Sequence, residues 1–524
     1  MKIKRVLLPV GAFALLGMTI GIGVTSTIRS KNSIPTKADT ADVTISTDVE
    51  FANFLSNCNT NSHAYQGQVV ELLADVNANI TSKPNNGFDG EFNGNGHTIT
   101  VNINFDSTAS GLFRNIFENA NFHDVNLAGT VTSRTYMSPL CVYNNGLVKN
   151  VNSSVTINVP TYGYAGGILF RNNPNGKIEN CKFTGSVTSH ARAAGIACEN
   201  QGIISSCINE GAISSTTDNF VGGIVAVAGT GTTKNDDPKG ITNSITSCIN
   251  KGNITSADHD CGGVVGFAYS NTKITYCSNY GKVVSTGATS GRADGGVVGR
   301  INGDASSISN AQTVVNYCYN GGEVESNLNL GGLIGMINRS TNPVVSIVGG
   351  FSTGKVSGTA STNTGTLIGW VNSNTISLSD TWTVGKLSGS GSTAKNGIGG
   401  GTASGTSTSK ADGVSDDFRA IIKAIREYNC VAIPGFSTLY GGLDDGEKTL
   451  LNQINYYDDL NTYAMKTYGQ AAEYIIDDQA HGARVSLLNL NNNYWAVIIV
   501  ISVMVLSTAS MVFVIRRKKH AASK

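Results

Sequence analysis

Charged residues are scarce in this chain of 524 residues, since Asp, Glu, Lys and Arg make up only 14% of it, where roughly 25% is usual for soluble domains. Eight of the 37 basic residues lie in the first five and the last nine positions, which contain no acid. The remaining 29 basic and 36 acidic residues give the body a formal charge of −7. Because nucleic-acid binding requires clustered Lys and Arg that neutralise phosphates, we expect no nucleic acid as partner.

Several motifs with a defined chemistry are also missing. No cysteine pair has the CxxC or a Cys/His zinc spacing, no histidine lies in HExxH, and no GxxxxGK[ST] loop occurs. A GxSxG sequence runs from Gly350 to Gly354, but it falls on a repeated corner without the strand-turn-helix context of a nucleophile elbow. The sequence therefore assigns no catalytic, cofactor-binding or metal-binding residue, and we expect no cofactor.

The two termini predict a single-pass protein of the cell membrane. Three basic residues precede an apolar run over 6–24, which is typical of an export signal (1–26); an uncleaved signal anchor is the alternative. Residues 495–515 carry no charge and are long enough to cross a bilayer, and the basic tail 516–524 follows at once. The positive-inside rule places this tail in the cytoplasm and the body outside the cell.

The body is a sequence repeat. Its pattern can be written I-x-x-C-x-N-x-G-x-V, and a short strand that begins with small residues, usually Gly-Gly, opens the copies. Degenerate copies on both sides raise the number to nine. The copies that carry the cysteine have it at Cys181, Cys207, Cys248, Cys277 and Cys318.

Short β-branched runs separated by Gly and Asn, with no helical period between 90 and 389, predict an all-β fold. A repeat of roughly 25 to 40 residues is typical of a parallel β-helix, a solenoid whose rungs stack along one axis. Nine to eleven rungs at about 4.8 Å each would form a rod on the order of 50 Å long. Gly supplies positive φ at the corners, and Asn can hydrogen-bond its counterpart in the next rung. The abundance of both residues therefore needs no active site.

The repeat resembles the GLUG-motif family of bacterial surface proteins. The strongest match is FDGEFNGNGHTI, from Phe88 to Ile99, followed by Gly111-Leu112-Phe113, and the similarity extends over about residues 43–390. The resemblance implies a right-handed parallel β-helix with VVELLADV (Val69 to Val76) as its first strand. It also implies extracellular surface attachment or adhesion, and it implies no particular ligand.

Composition divides the body into segments. Thr47 and Glu50 form a capping-box pattern ahead of a short amphipathic helix, which would close the N-terminal end of the rod. The predicted segments are an N-terminal cap with the first rungs (43–108), the β-helix repeats (109–390), a flexible Gly/Ser/Thr linker (391–413) and a small α-helical stalk domain (414–485).

The repeated cysteine has two interpretations. Other copies carry Val125, Val151, Gly350 or Thr381 at this position, and such replacements favour side chains that point into the core. Adjacent rungs are also close enough for disulfides or a metal ladder. We expect free thiols that pack as small hydrophobic groups, with disulfide or metal binding as the alternative.

Acidic loops are the candidates for chemistry. Insertions at about 229–240 and 302–312 would project from one side of the rod and frame a groove. Glycosidases need carboxylates that converge on one face, whereas most turn carboxylates are merely solvated. The candidate residues are Asp236, Asp237, Asp258, His259, Asp260, Arg292 and Asp294.

We therefore expect a membrane-anchored extracellular surface protein, an adhesin or binding protein whose β-helical rod meets an extracellular glycan or surface glycoprotein. Recognition by an extended, repeated face would involve no chemical step. A tethered polysaccharide lyase or glycosidase of the β-helix type is one alternative. A structural component of the cell envelope is the other.

Overall fold

The structure is a computed structural model, and it describes residues 41–409 with gaps, together with residues 442–444. The gaps are 105–108, 133–134, 160, 218–219, 230–242, 270, 288–291, 304–312, 328, 340–344, 349, 359–362, 384–386, 389–393 and 396. The predicted signal, span and basic tail, nearly all of the predicted stalk, and Asp236 and Asp237 thus lie outside the described residues. Within the described part, no helix is both long and apolar enough to cross a membrane.

The described chain winds into rungs of up to five short strands, and each strand pairs in parallel with its counterparts in the neighbouring rungs. The strands therefore form five parallel stacks, numbered here in the order in which a rung visits them. Stack 1 contains β7 (Ala109–Ser110), β10 (Tyr136–Met137), β14 (Ala165–Gly166), β19 (Ala193–Ala194), β24 (Val221–Gly222), β29 (Cys261–Gly262), β34 (Ala293–Gly295), β39 (Asn329–Gly331), β44 (Thr364–Gly365) and β47 (Ala394–Lys395). Stack 2 contains β4 (Gly87–Phe88), β8 (Phe113–Ile116), β11 (Cys141–Asn144), β15 (Leu169–Asn172), β20 (Ala197–Asn200), β25 (Val225–Ala228), β30 (Val265–Ala268), β35 (Val298–Gly303) and β40 (Ile334–Arg339).

Stacks 3 to 5 complete the rungs. Stack 3 contains β1 (Val43–Ile45), β2 (Val69–Leu72), β5 (Glu91–Asn93), β9 (Asn121–Thr132), β12 (Leu147–Ser153), β16 (Lys177–Glu179), β21 (Ile203–Ser205), β26 (Asn243–Thr246), β31 (Thr272–Thr275), β36 (Thr313–Asn316), β41 (Val345–Val348), β45 (Ile368–Thr383) and β48 (Ile398–Ser409). Stack 4 contains β17 (Lys182–Phe183), β22 (Ile208–Asn209), β27 (Ile249–Asn250), β32 (Ser278–Asn279), β37 (Tyr319–Asn320) and β42 (Phe351–Ser352). Stack 5 contains β3 (Val76–Ile80), β6 (Thr98–Asn104), β13 (Thr156–Val159), β18 (Ser186–Ser189), β23 (Ala212–Ser215), β28 (Ile254–Ser256), β33 (Val283–Ser285), β38 (Val324–Ser326), β43 (Val356–Gly358) and β46 (Leu387–Ser388). The long strands β9 and β45 each pair with strands of more than one stack, and β48 pairs with β45.

The expected parallel β-helix is therefore the fold of the described chain. Stack 3 is thirteen strands deep over these residues, which corresponds to roughly 60 Å at the usual strand spacing. The sequence predicts only nine to eleven rungs, fewer than the thirteen strands of stack 3, because the first and last strands of this stack carry no copy of the repeat motif. Backbone pairing with a neighbouring rung is enough to form these strands without the motif.

An α-helix closes the N-terminal end, as the capping box predicts. Helix α1 spans Asp48–Thr60; Thr47 Oγ1 accepts a hydrogen bond from the Glu50 N–H, and the Glu50 carboxylate accepts one from the Thr47 N–H. Phe54 is buried and packs against Phe88 and Phe92, with ring centroids 5.7 and 5.5 Å apart. The helix thus covers the first rungs with aromatic side chains.

Two predicted boundaries are wrong. The first strand is β1, ahead of the helix, and the segment from Val69 to Val76 is not one strand but supplies β2 and the start of β3. Strands β47 and β48 lie inside the predicted linker and pair with β44 and β45. Because the preceding rung offers a ready row of backbone N–H and C=O groups, a Gly/Ser/Thr sequence can pair there despite its flexible composition.

Repeated side chains fill the interior in vertical rows. In stack 3, one row of fully buried residues includes Val148, Ile178 and Ile204 in consecutive rungs. At the corner after stack 4, Asn250 Nδ2 donates to Asn279 Oδ1 at 2.7 Å and also to the carbonyl of Gly252 at 2.9 Å. This confirms the predicted Asn-to-Asn stacking. Gly252 is required there because an added Cβ would lie 1.9 Å from the carbonyl oxygen of the rung before.

The repeated cysteines point inward, as the sequence predicts. All nine cysteines in the described part are buried and free. The Cys277 thiol lies 3.5 Å from the Ile245 carbonyl of the preceding rung and 3.4 Å from the Thr275 carbonyl of its own rung. Burial raises the pKa of this thiol well above its ordinary value. These cysteines therefore behave as small core residues and not as reactive groups.

Candidate functional site

The structure brings four of the predicted candidate residues together. His259 Nε2 lies 3.2 Å from Asp258 Oδ2, and His259 Nδ1 lies 3.3 Å from Asp260 Oδ2. Arg292 and Arg300 approach the same Asp260 oxygen at 3.6 and 3.7 Å. Arg300 is not among the predicted residues, because it stands in the middle of a Gly-rich strand and not in an acidic loop. Burial opposes protonation of His259, but the nearby Asp260 carboxylate outweighs it and raises the pKa of His259.

Asp294 belongs to the next rung and is also buried. Its Oδ1 accepts the Cys261 N–H at 2.7 Å, and its Oδ2 accepts the Ser326 hydroxyl at 2.5 Å. Burial raises the pKa of Asp294 to about 7, against the effect of these two hydrogen bonds. Asp260 and Asp294 have no exposed surface. A polymer on the surface therefore cannot reach either carboxylate, and of the three described acids only Asp258 is partly exposed.

The GxSxG sequence is a corner of the rod. Ser352 pairs in register with Asn320 of the rung before and is fully buried. It therefore replaces one asparagine of the interior row and has none of the exposure that a nucleophile needs. Within the described residues, no group of three or more His, Cys, Asp or Glu is placed to hold a metal ion.

A larger feature runs along the outside of stacks 1 and 2 as two facing rows of side chains. None of the residues that form the two rows belongs to the main core of the rod. We call the two rows the aromatic–arginine stripe. Row 1 contains Tyr136, Tyr164, Arg192, Phe220 and Asp260, at or directly before the paired strands of stack 1. Row 2 contains Tyr143, Arg171, Glu199, Val227, Phe267, Arg300, Met336 and Trp370, which are in register on stack 2.

Neighbouring members of row 1 stack on one another. The rings of Tyr136 and Tyr164 are 5.0 Å apart between centroids. The Arg192 guanidinium lies over the Tyr164 ring at 4.7 Å and over the Phe220 ring at 5.4 Å. Such cation–π contacts hold a guanidinium flat against an aromatic face. The row is therefore an ordered surface that spans successive rungs.

Contacts across the two rows join them into one surface. Arg192 of row 1 donates to Glu199 Oε1 of row 2 at 2.6 Å, and within row 2 Arg171 Nε donates to Glu199 Oε2 at 2.6 Å. Further along, the Phe220 and Phe267 rings are 4.4 Å apart. The first rungs of the stripe are the more accessible part, since the Tyr136 side chain is 39% exposed while Phe267 is 4% exposed. We therefore regard the first rungs as the candidate binding site.

The stripe corresponds to a regular spacing of large residues in the sequence, and these residues lie outside the acidic loops. Tyr136, Tyr164, Arg192 and Phe220 follow one another at intervals of 28 residues. The same interval separates Tyr143, Arg171, Glu199 and Val227. A constant interval equal to the rung length places residues in one vertical row. Large aromatic and charged residues that recur at that interval are therefore visible in the sequence once the rung length is known.

Comparison with known proteins finds a distant structural match that carries no conclusion about the fold. No family model matches the chain, and no curated protein matches it. Among solved structures, the chain is similar to the 1.30 Å crystal structure of a "putative immunoglobulin A1 protease" from Bacteroides ovatus. The two are 18% identical with a TM-score of 0.31, over 63% of this chain and 84% of the other. A similarity of this degree carries no conclusion about function.

Proposed function

We propose that this chain is an extracellular surface protein, an adhesin of the GLUG-like kind, that binds a glycan or a surface glycoprotein along the aromatic–arginine stripe. The predicted export signal and the span at 495–515 would hold the rod outside the cell membrane. Recognition would take place without a chemical step.

The observation that carries this proposal is the group of three tyrosines at the first rungs of the stripe, Tyr136 and Tyr164 in row 1 and Tyr143 in row 2, held by one another or by the guanidiniums of Arg171 and Arg192. Aromatic rings that stacking already holds in place lose little side-chain entropy when a ligand packs on the parts that stay exposed. A row that repeats at each rung suits a ligand that also repeats, and one rung rises about 4.8 Å, close to the length of one sugar unit in an extended chain. An extended polymer therefore fits this surface better than a compact small molecule does.

The tethered lyase or glycosidase receives less support. Such an enzyme needs at least two carboxylates that meet the substrate, whereas Asp260 and Asp294 are fully buried. Asp236 and Asp237 lie outside the described residues and remain predictions. The structural-envelope alternative predicts self-association without a foreign ligand.

The test is a binding assay with the full chain in detergent. A panel of labelled polysaccharides and glycoproteins is incubated with the protein, and both the retained fraction and the polymer length are measured. Retention with unchanged length is the expected result. Shortened polymer would contradict the proposal and favour the enzyme, while self-association without retention would favour the envelope role.

A matched pair of tyrosine variants locates the binding surface. Tyr136→Ala removes an exposed ring of the stripe, and we expect retention to fall about tenfold, as for an aromatic hot spot. Tyr162→Ala is the control, because Tyr162 is 77% exposed and stacks on His190, and neither residue belongs to a row of the stripe. Equal losses in the two variants would exclude the stripe as the binding site.

A further inference from the structure

We propose that the ligand of the stripe is an acidic polysaccharide whose anionic groups bind beside Arg114, at the first rungs of the stripe. This inference rests on the proposed function and specifies its ligand class.

The first rungs of the stripe carry more positive than negative charge. Arg171 and Arg192 lie there, and Arg114 lies on β8 in the rung next to Tyr143. Glu199 pairs with two of these arginines, since its two oxygens bind Arg192 and Arg171. The side chain of Arg114 makes no hydrogen bond or ion pair with the described residues, and its guanidinium lies over the Tyr143 ring at 5.6 Å. These four side chains together carry a formal charge of +2, on a body whose formal charge is −7.

The geometry leaves the charged groups available to a ligand. Tyr143 has two guanidiniums at its ring, those of Arg114 at 5.6 Å and Arg171 at 5.7 Å. A guanidinium stacked on a ring keeps its N–H groups directed outward at its edge, where they match the two oxygens of a carboxylate or a sulfate. The Arg114 side chain is half-buried, so it is held in place yet still meets solvent.

The arrangement favours a polysaccharide over a single-stranded nucleic acid. Nucleic acids need a continuous basic groove with about one cation for each phosphate, whereas this surface has an excess of two charges among tyrosines. An acidic polysaccharide offers both groups that the surface fits, namely a sugar ring for the exposed Tyr136 ring and a carboxylate or sulfate for Arg114.

The experiment measures binding of the full chain in detergent to hyaluronan, chondroitin sulfate and neutral dextran. Arg114→Gln should weaken hyaluronan binding about tenfold, and Arg114→Lys should restore part of it by returning the charge without the planar fork. Lys177→Gln is the control, since it removes one charge from an exposed position on stack 3, and we expect less than about a twofold effect. Raising NaCl from about 0.05 to 0.5 M should weaken hyaluronan binding in the wild type more than in Arg114→Gln.

The outcomes separate this inference from the proposal on which it rests. Tighter binding of chondroitin sulfate than of hyaluronan would support the inference and identify sulfate as the better anion. Dextran bound as tightly as hyaluronan, with no effect of Arg114→Gln, would overturn the inference and leave a glycan-binding protein. Tighter binding of an oligo-dT strand would overturn it in favour of nucleic acid. Retention of none of the polysaccharides or glycoproteins would overturn the proposed function itself.

Discussion

Asp294→Asn should make the rod more stable at neutral and alkaline pH. Asp294 is fully buried, and its two oxygens accept hydrogen bonds from the Cys261 N–H and the Ser326 hydroxyl. Asparagine has the same shape, its amide oxygen can accept the Cys261 N–H, and its NH₂ can donate to the Ser326 oxygen. The substitution thus keeps the packing and removes the buried negative charge.

The magnitude follows from the pKa of Asp294, which burial raises from 3.8 to about 7. At pH values between these two pKa values, Asp294 holds a proton in the native state that it has lost in the unfolded state. The free energy of unfolding therefore falls as the pH rises. The contribution of Asp294 is fully present below about pH 4 and is lost by about pH 7. At about 1.4 kcal/mol per pKa unit, the loss is at most about 4 kcal/mol. The Asp294→Asn variant has no carboxyl at this position, so its free energy of unfolding should not fall in this way as the pH rises.

Urea unfolding followed by circular dichroism at about pH 5 and about pH 8 measures the effect. The stability difference between Asp294→Asn and the wild type should grow in favour of the variant from the lower to the higher pH. Asp75→Asn is the control: the hydrogen bonds from Thr98 and His97 lower the pKa of Asp75, so this carboxyl is ionised in both states at the two pH values and its stability difference should not change between them. A stability difference for Asp294→Asn that does not change with pH would refute the reasoning.

Two further predictions concern the interior rows. Asn250→Ala breaks the hydrogen bonds that Asn250 makes with Asn209 and Asn279, and it should lower the free energy of unfolding by about 2 to 4 kcal/mol. The control Asn152→Ala removes an exposed Asn pair and should lower it by less than about 0.5 kcal/mol. Urea unfolding midpoints compare the two variants, and equal costs would contradict a structural role for the buried row. The buried thiols, of which Cys277 is an example, should not react with Ellman's reagent until the protein unfolds. If more than one thiol of the native protein reacts rapidly with the reagent, that result would contradict their burial.

Much of the interior could be predicted from the sequence because it depends on a strict repeat. A side chain that faces the core in one rung stands directly on its counterpart in the next, so Cys, Asn and Gly recur at fixed positions such as Cys277, Asn279 and Gly281. Each type has a separate physical reason: the thiol fills a small apolar space, the amide bonds its neighbour, and the glycine admits the carbonyl of the preceding rung. The fold class follows from these repeats alone.

The ends of the rod and the stripe were harder to predict for different reasons. Strands β1 and β48 form because an adjacent rung supplies pairing partners, which is a tertiary effect that composition does not reveal. Row 1 and row 2 of the stripe come from different strands, and contacts such as Arg192 to Glu199 depend on how sharply the chain turns between stacks 1 and 2. The sequence shows that large residues recur, but it does not show that the two rows face each other.

The outward side of stack 5 shows that the fold does not require a stripe of large side chains. In the rungs that carry Tyr143, Arg171 and Glu199, the outward row of stack 5 contains small polar residues, among them Thr188 and Ser214, which are in register. Small polar side chains are sufficient for an outward position that needs only to be solvated. Ordering Arg and Tyr side chains costs rotamer entropy, and the stacking and ion pairs of the stripe offset that cost before any ligand arrives. A surface ordered in advance binds more tightly because less freedom is lost on association, which is why we place recognition on this face of the rod.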